Sequence, residues 1–195
     1  MQRRNFMLTA AVTLASGGLT LAGCTTTPPG QSNASTNMSK RQSIDSSIDA
    51  TMQKLYSTVS GSRELVAKSR GVLVFPSVLQ AGFIVGAQYG EGALRVGGSS
   101  VGYYSTVSGS FGLQAGAQSK ALIFCFMNQQ ALDQFRNTDG WSAGADASVA
   151  LVTIGANGAI DTNTATKPVE VFVLTNAGLM GDVSLAGTKV SRLKI

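Results

Sequence analysis

The residues that could perform catalysis are scarce in this 195-residue chain. It contains no histidine, which removes the commonest general base and the commonest metal ligand. Residues 98–102 match G-x-S-x-G by letter, but a serine nucleophile in that motif requires a histidine, so a loop at a strand end is predicted instead. The ten carboxylates are scattered, and Asp146 is expected to make hydrogen bonds in a loop or at a strand end. We therefore predict no catalytic residue, metal ligand or cofactor, and a protein that is not an enzyme.

The charges are distributed unevenly along the chain. Fifteen Lys and Arg stand against ten Asp and Glu, a formal net charge of +5. Positive charge is concentrated in two stretches, 63–70 with a single acid and 187–195 with none. Such clusters attract anionic surfaces, although an ordinary solvated face has the same composition. The basic residues concerned are Arg63, Lys68, Arg70, Lys189, Arg192 and Lys194.

The N-terminus has the pattern of a secretory signal. Arg3 and Arg4 precede an uncharged segment, 6–22, that is mostly apolar or small and too interrupted for a comfortable membrane span. The sequence Leu-Ala-Gly-Cys that ends at Cys24 resembles the lipobox of bacterial lipoproteins, in which the cysteine is acylated. The resemblance implies a signal peptide at 1–23, a lipid anchor on Cys24 and a location in the bacterial cell envelope, at the outer membrane. The two arginines also resemble a twin-arginine export signal, and an ordinary positively charged start fits them equally well.

The segment after Cys24 has little to bury. Residues 24–38 carry no charge and are predicted to form a disordered tether, so that a single folded domain occupies 39–195. The other cysteine, Cys125, lies within the apolar run ALIFCFM. We expect it to be buried and free, because an acylated Cys24 leaves it no disulfide partner.

Two kinds of hydrophobic periodicity divide the domain. Apolar residues from Ile44 to Val59 recur every three or four positions, which predicts a helix over 43–60 with Ser43 as N-cap and Gly61 as its end. Shorter helices are predicted over 62–68 and over 129–137. The second of these would be capped by Asn128, with Leu132 and Phe135 facing inward.

From Gly71 onward the apolar period changes to two. Many short strands with internal glycines predict a mainly β (α+β) fold, a small antiparallel barrel-like core with about three short helices packed outside. Glycine within strands is costly unless the sheet bends sharply or another backbone approaches closely. The strands are predicted over 71–75, 83–90, 93–97, 101–107, 111–118, 121–127, 147–154, 169–174, 179–185 and 188–195.

The heptapeptide YSTVSGS occurs twice, at 56–62 and at 104–110. The first copy ends the predicted helix, whereas the second leads into a predicted strand. The flanking sequences do not resemble each other. We interpret the repeat as coincidence and expect one site in the domain.

An ordered series of motifs over residues 65–195 resembles the SYLF domain family. The motifs are GVLVFPSVLQAGFIVGAQYGEG (71–92), GYYS (102–105), GLQAGAQS (112–119), FMNQQALDQF (126–135), GWSAGADASVA (140–150), DTNT (161–164) and GLMGDVSLAGTKVSRLKI (178–195). Members are known as non-enzymatic modules that bind phosphoinositides, and some eukaryotic members engage actin. The family often has a lysine where this chain has Gln80.

The resemblance implies an anionic-lipid partner for the basic clusters. In the family an amphipathic N-terminal helix and basic residues contribute to membrane binding. The resemblance therefore implies this role for the 44–59 helix and for Arg63, Lys68, Arg70 and Lys189. Arginine pairs with phosphate bidentately and lysine binds it as a point charge. Together with Arg192 and Lys194 these residues form the predicted phosphoinositide site, with Lys189 the foremost. Neither actin nor nucleic acid is expected as a partner.

Two functions remain open from the sequence. One is an anionic-lipid-binding module held at the membrane by Cys24. The other is a structural envelope lipoprotein, or a partner-binding scaffold, without a lipid ligand. Charge reversal at Lys189 and Arg192 distinguishes them, because it should abolish liposome binding only in the first case.

Overall fold

The computed structural model describes residues 29–82, 85–111, 118–154, 160, 167–181 and 184–195. Within them the chain forms three helices and nine strands. The helices are α1 (Pro29–Thr58), α2 (Ser62–Lys68) and α3 (Gln129–Asn137). The strands are β1 (Gly71–Gly82), β2 (Val85–Val96), β3 (Ser99–Phe111), β4 (Gln118–Phe126), β5 (Trp141–Ser142), β6 (Val149–Leu151), β7 (Val169–Thr175), β8 (Gly178–Leu179) and β9 (Lys189–Arg192).

All nine strands belong to one curled sheet. Their order is β5-β9-β3-β2-β1-β4-β7-β6, with β8 paired beside β7. The sheet forms a half-barrel, so the predicted mainly β, α+β class is confirmed. Its pairings are antiparallel except that of β6 with β7, which is parallel. The predicted strands at 147–154, 179–185 and 188–195 are shorter in the structure, and most of the predicted 111–118 strand lies outside the described residues.

A bulge in β1 bends the sheet. The register of β1 shifts near Pro76 against both neighbouring strands, at a residue that has no N–H to donate. On β2, Gly90 and Gly92 face this bulge, and a Cβ on Gly92 would lie 1.9 Å from the carbonyl oxygen of Val74. These glycines therefore occur within a strand because the backbone of β1 occupies the space of a side chain.

Side chains alternate between two apolar layers, one on each face of the sheet. Along β4, Leu122, Phe124 and Phe126 pack in the layer that contains Trp141, which we call the Trp141 face. Ile123 and Cys125 pack in the other layer, which we call the α1 face because it is covered by α1 and α2. Cys125 is buried and free, as predicted.

The three helices do not all pack on one side. Whereas α1 and α2 cover the α1 face, α3 packs its buried Leu132 and Phe135 on the Trp141 face. The predicted bounds of α2 and α3 are confirmed, and Asn128 caps α3 by accepting a 2.8 Å hydrogen bond from the N–H of Ala131. The prediction of three short helices is wrong for α1, which has 30 residues.

The helix α1 begins well before the predicted N-cap. Ser43 lies inside the helix, so its assignment as N-cap is wrong. Residues 29–38, within the stretch whose composition favours a disordered tether, are helical, and residues 24–28 lie outside the described residues. The inward apolar face is confirmed, since Ile44, Ile48, Leu55 and Val59 are buried and Met52 packs beside them.

The two copies of YSTVSGS adopt different structures. Residues 56–62 close α1, turn at Gly61 and start α2, whereas 104–110 lie within β3. The prediction of a helix end for one copy and an extended segment for the other is confirmed. The repeat does not correspond to a repeated structural unit.

Candidate functional site

An open groove of about 550 Å³ lies on the α1 face, where α1, α2, the start of β1 and the end of β2 meet. Its position follows from the chain order, because α2 leads directly into β1 and the β2–β3 turn returns to the same end of the sheet. Its lining combines apolar side chains with two guanidinium groups. The lining residues are Asp49, Met52, Gln53, Tyr56, Val66, Ala67, Ser69, Arg70, Gly71, Val72, Val74, Arg95, Gly97 and Gly98.

Arg95 is the more enclosed of the two cations, with only 19% of its side chain exposed. It points to the α1 face by strand alternation, and its Nη1 lies 2.5 Å from Oδ1 of Asp49 on α1. Its Nη2 donates to the carbonyl oxygen of Asp45 at 3.2 Å. The buried Nε has no hydrogen-bond partner in the part of the chain that the structure describes. Arg95 thus lines the groove with its guanidinium while its Nε is buried and unpaired.

Arg70 supplies the exposed cation of the groove. Its backbone N–H donates to the carbonyl oxygen of Phe126 at 2.7 Å, which holds the start of β1 independently of its side chain. The guanidinium makes no salt bridge among the described residues. The side chain of Arg70 is thus available to an anion, and its replacement leaves the backbone contact intact.

The apolar wall of the groove comes mainly from the two helices. Met52 and Tyr56 lie on the flank of α1, and Val66 lies on α2. The guanidinium of Arg63 stacks over the ring of Tyr56, 4.2 Å from its centroid. Burial raises the pKa of the Tyr56 hydroxyl, and the nearby Arg63 opposes that rise. The Tyr56 ring is therefore a neutral surface with a cation above it.

The turn at Gly97 and Gly98 forms the far rim. The two residues have φ values of 59° and 84° and link β2 to β3 as a two-residue hairpin loop, a conformation that favours glycine. Of the G-x-S-x-G match only Gly98 lies in this turn, and residues 99–102 form the start of β3, so the predicted strand-end loop is confirmed for Gly98 alone. Ser100 donates its hydroxyl hydrogen bond to Asp45 at 2.7 Å and helps hold α1 on the sheet.

The predicted basic residues do not form one patch. Arg70 lines the groove, Arg63 covers Tyr56 at its edge, and Lys68 ends α2 nearby. The remaining three lie on or just after β9, which is separated from β1 by β3 and β2, or about 14 Å at the usual strand spacing.

The cations of the C-terminal strand also divide between the faces. Arg192 shares the Trp141 face with Tyr104, and its guanidinium carbon lies 5.7 Å from the centre of that ring. Lys189 points to the α1 face, as strand alternation predicts, and is exposed. Lys194 is exposed beyond the end of β9. Lys189, Arg192 and Lys194 therefore do not form the single site with Lys68 and Arg70 that the sequence predicts.

Sequence reasoning missed Arg95. The alternation in GALRV places Arg95 on the same face as the buried Ala93, and this signal could have indicated a cation beneath α1. Its partner Asp49 is 46 residues away in sequence, and no spacing rule connects them. Asp146, in contrast, has the predicted hydrogen-bonding role, since its Oδ2 accepts from the N–H of Ser142 at 2.6 Å.

The comparison with known families agrees with this reading of the fold. A family model described as "Ysc84: Las17-binding protein actin regulator" matches residues 107–194, from the end of β3 through β9. Residues 107–194 are therefore similar to the Ysc84 (SYLF) domain family, as the motifs indicate. Domains of this family are known for lipid binding and actin regulation. The matched stretch does not include the groove, whose lining residues lie within 49–98.

No curated protein matches the chain. Among the described residues, no helix is long and apolar enough to cross a membrane.

Proposed function

We propose that the protein is a non-enzymatic, anionic-lipid-binding protein of the bacterial cell envelope, tethered through an acylated Cys24. The observation that carries the proposal is the groove, in which the exposed guanidinium of Arg70 and the more enclosed guanidinium of Arg95 lie beside an apolar wall. A lipid phosphate suits the guanidinium groups, and the glycerol and upper acyl region suits Met52, Tyr56 and Val66. The similarity of residues 107–194 to the Ysc84 (SYLF) family supports lipid as the class of ligand.

The ion pair between Arg95 and Asp49 is part of the proposed site. Asp49 is 59% exposed, so water can hydrate its carboxylate when an incoming phosphate takes over the guanidinium. A phosphate would replace the carboxylate of Asp49 with another charge-assisted hydrogen-bond acceptor for Arg95. Arg70 needs no such exchange and is therefore the first contact for the headgroup.

The test uses residues 24–195 with Cys24→Ser, which removes the acylation site and retains both apolar layers of the described fold. Binding to a soluble short-chain phosphatidylglycerol is measured by titration calorimetry for this protein and for Arg70→Glu. Reversing a cation at an anionic headgroup should weaken binding about tenfold or more, and added salt should weaken the parent protein's binding.

Arg136→Glu is the matched control. It makes the same change in net charge at an exposed position on α3, which packs on the Trp141 face. It should bind as the parent does. Equal losses in Arg70→Glu and Arg136→Glu would show a net-charge effect without a groove. Absence of binding by the parent protein would overturn the proposed function and leave the structural or scaffolding lipoprotein as the better hypothesis.

A further inference from the structure

Three large apolar side chains form an exposed row across neighbouring strands. Leu79 on β1 is paired with Tyr89 on β2, and Tyr89 is paired with Val107 on β3. Their exposures are 57%, 49% and 49%, which is high for side chains of this size on adjacent strands. The register continues to Lys189, which is paired with Val107 on β9. The row of four residues extends across about 14 Å of sheet.

All four side chains of the row lie on the α1 face. Tyr89 is two residues from Glu91 and donates its hydroxyl hydrogen bond to that carboxylate at 2.7 Å, while Glu91 also binds Lys40 of α1 at 2.7 Å. This hydrogen bond raises the pKa of Tyr89 to about 12, so the ring remains neutral. The row lies beyond the part of the sheet that α1 buries, and its three apolar side chains are about half exposed.

The direction of α1 brings its N-terminal third, which begins at Pro29, toward the end of the sheet that carries the row. Along β2, contacts with α1 proceed from Arg95, which binds Asp49, to Glu91, which binds Lys40. Continuing in the same direction, β2 reaches Tyr89 and α1 reaches Met38, which is 71% exposed. The N-terminal part of α1 therefore lies at the end of the domain that carries the apolar row.

The composition of the row fits a membrane surface better than a second copy of the chain. Lys189 has no carboxylate partner in the described parts of the chain, and Glu91 is already paired with Lys40. Two copies joined through this row would cover the Lys189 cations without a free carboxylate of the row to neutralise them. An anionic bilayer instead neutralises Lys189 while the three apolar side chains enter the headgroup–acyl boundary.

We propose that the row formed by Leu79, Tyr89, Val107 and Lys189 is the surface with which the domain contacts an anionic bilayer. This inference rests on the proposed lipid-binding function and adds a second surface, distinct from the groove. The groove would hold one headgroup, and the row would orient the domain on the surrounding bilayer.

Strand β3 provides a matched pair of variants for the test. Val107 and Val101 are the same residue type on the same strand and have similar exposures of 49% and 51%, but only Val107 belongs to the row. With residues 24–195 carrying Cys24→Ser, Val107→Asp should reduce partition into phosphatidylglycerol-containing vesicles about tenfold or more, because a buried apolar group is replaced by a charge. Val101→Asp should partition as the parent protein does, and Lys189→Glu should show a loss that added salt makes smaller.

Binding to short-chain phosphatidylglycerol distinguishes the contribution of the groove from that of the row, because a soluble lipid offers no bilayer surface. Val107→Asp should bind this soluble lipid as the parent does, which also shows that the variant is folded. If the parent protein binds neither form of lipid, the proposed function itself fails. If the parent binds vesicles and Val107→Asp does so equally, the row is not the bilayer contact.

A fluorescent label gives a second, direct measurement. Val107→Cys or Val101→Cys is labelled with an environment-sensitive dye, since Cys125 is buried. Vesicles should shift the emission to the blue only for the label at position 107. A concentration-dependent blue shift without vesicles, together with dimers in sedimentation, would assign the row to a second copy and overturn the proposal.

Discussion

At the scale of single residues, Glu170 is the most unusual side chain of the domain. It is 1% exposed on β7, beside Cys125 of β4, and neither carboxylate oxygen has a hydrogen-bond partner among the described residues. Burial raises its pKa above the ordinary value of 4.5, and Lys68 opposes the rise. A buried carboxylate without a partner is costly when ionised, so the proton is favoured in the folded state.

This arrangement predicts a pH-dependent stability that Glu170→Gln removes. Because the pKa of the folded state is raised, the contribution of Glu170 to the free energy of unfolding is fully present below pH 4.5 and is lost as the pH rises through the folded-state pKa. The free energy of unfolding, measured by denaturant titration from pH 4 to 8, should fall less steeply with pH for Glu170→Gln than for the parent protein. The variant should be the more stable of the two at the upper end. Parallel pH profiles would show that Glu170 stays ionised or finds a partner.

At the scale of elements, the bulge of β1 and the glycines of β2 form one unit. The bulge at Pro76 directs the backbone of Val74 against β2, and β2 accommodates it only where side chains are missing. This close approach helps the sheet curl, and the curled sheet then carries a different apolar layer on each face. A substitution on β1 or β2 at this point should therefore disturb the packing of both strands.

Gly92→Ala tests this unit. A Cβ 1.9 Å from the carbonyl oxygen of Val74 cannot be accommodated without a backbone shift, so the variant should lose about 1–3 kcal/mol of unfolding free energy, or more. Denaturant titration measures the loss. Gly109→Ala is the control on β3, because nothing lies within 4 Å of a Cβ at that position. A Gly92→Ala protein as stable as Gly109→Ala would contradict the close packing of β1 on β2.

At the scale of the whole molecule, the groove and the apolar row both lie on the α1 face but at different ends of it. Contacts along α1 connect them, from Asp49 at the groove to Lys40 beside the row. The proposed anchor at Cys24 precedes the end of α1 that reaches the row. A lipid anchor, a bilayer-contacting row and a headgroup groove would then be arranged along a single helix.

The anchor can be tested independently of both surfaces. Intact-mass analysis of the full-length protein, expressed in a bacterium and extracted from membranes, should show a chain that begins at Cys24 and carries fatty acyl chains. Cys24→Ser should leave the protein without this mass and largely outside the membrane fraction after a high-salt wash. An unacylated native chain that retains residues 1–23 would contradict the lipobox assignment.

The sequence alone determined the features that depend on local patterns. Apolar spacing located the inward face of α1, and cap chemistry and composition located α2 and α3, because neighbouring residues decide these properties. The apolar run around Cys125 likewise indicated a buried segment, and the motif series indicated the resemblance to the family. Local pattern was insufficient for the start of α1. A serine such as Ser43 can cap a helix but can also lie within one, and here the helix begins earlier, at Pro29.

The site was decided by tertiary structure. Arg95 meets Asp49 only because β2 passes beneath α1, and Lys189 joins Val107, Tyr89 and Leu79 only through the register of four strands. The same register separates Lys189 from Arg70, although both belong to basic clusters in the sequence. Strand order and curl bring together residues that are far apart in the chain, and these depend on how whole elements pack, which local periodicity does not encode.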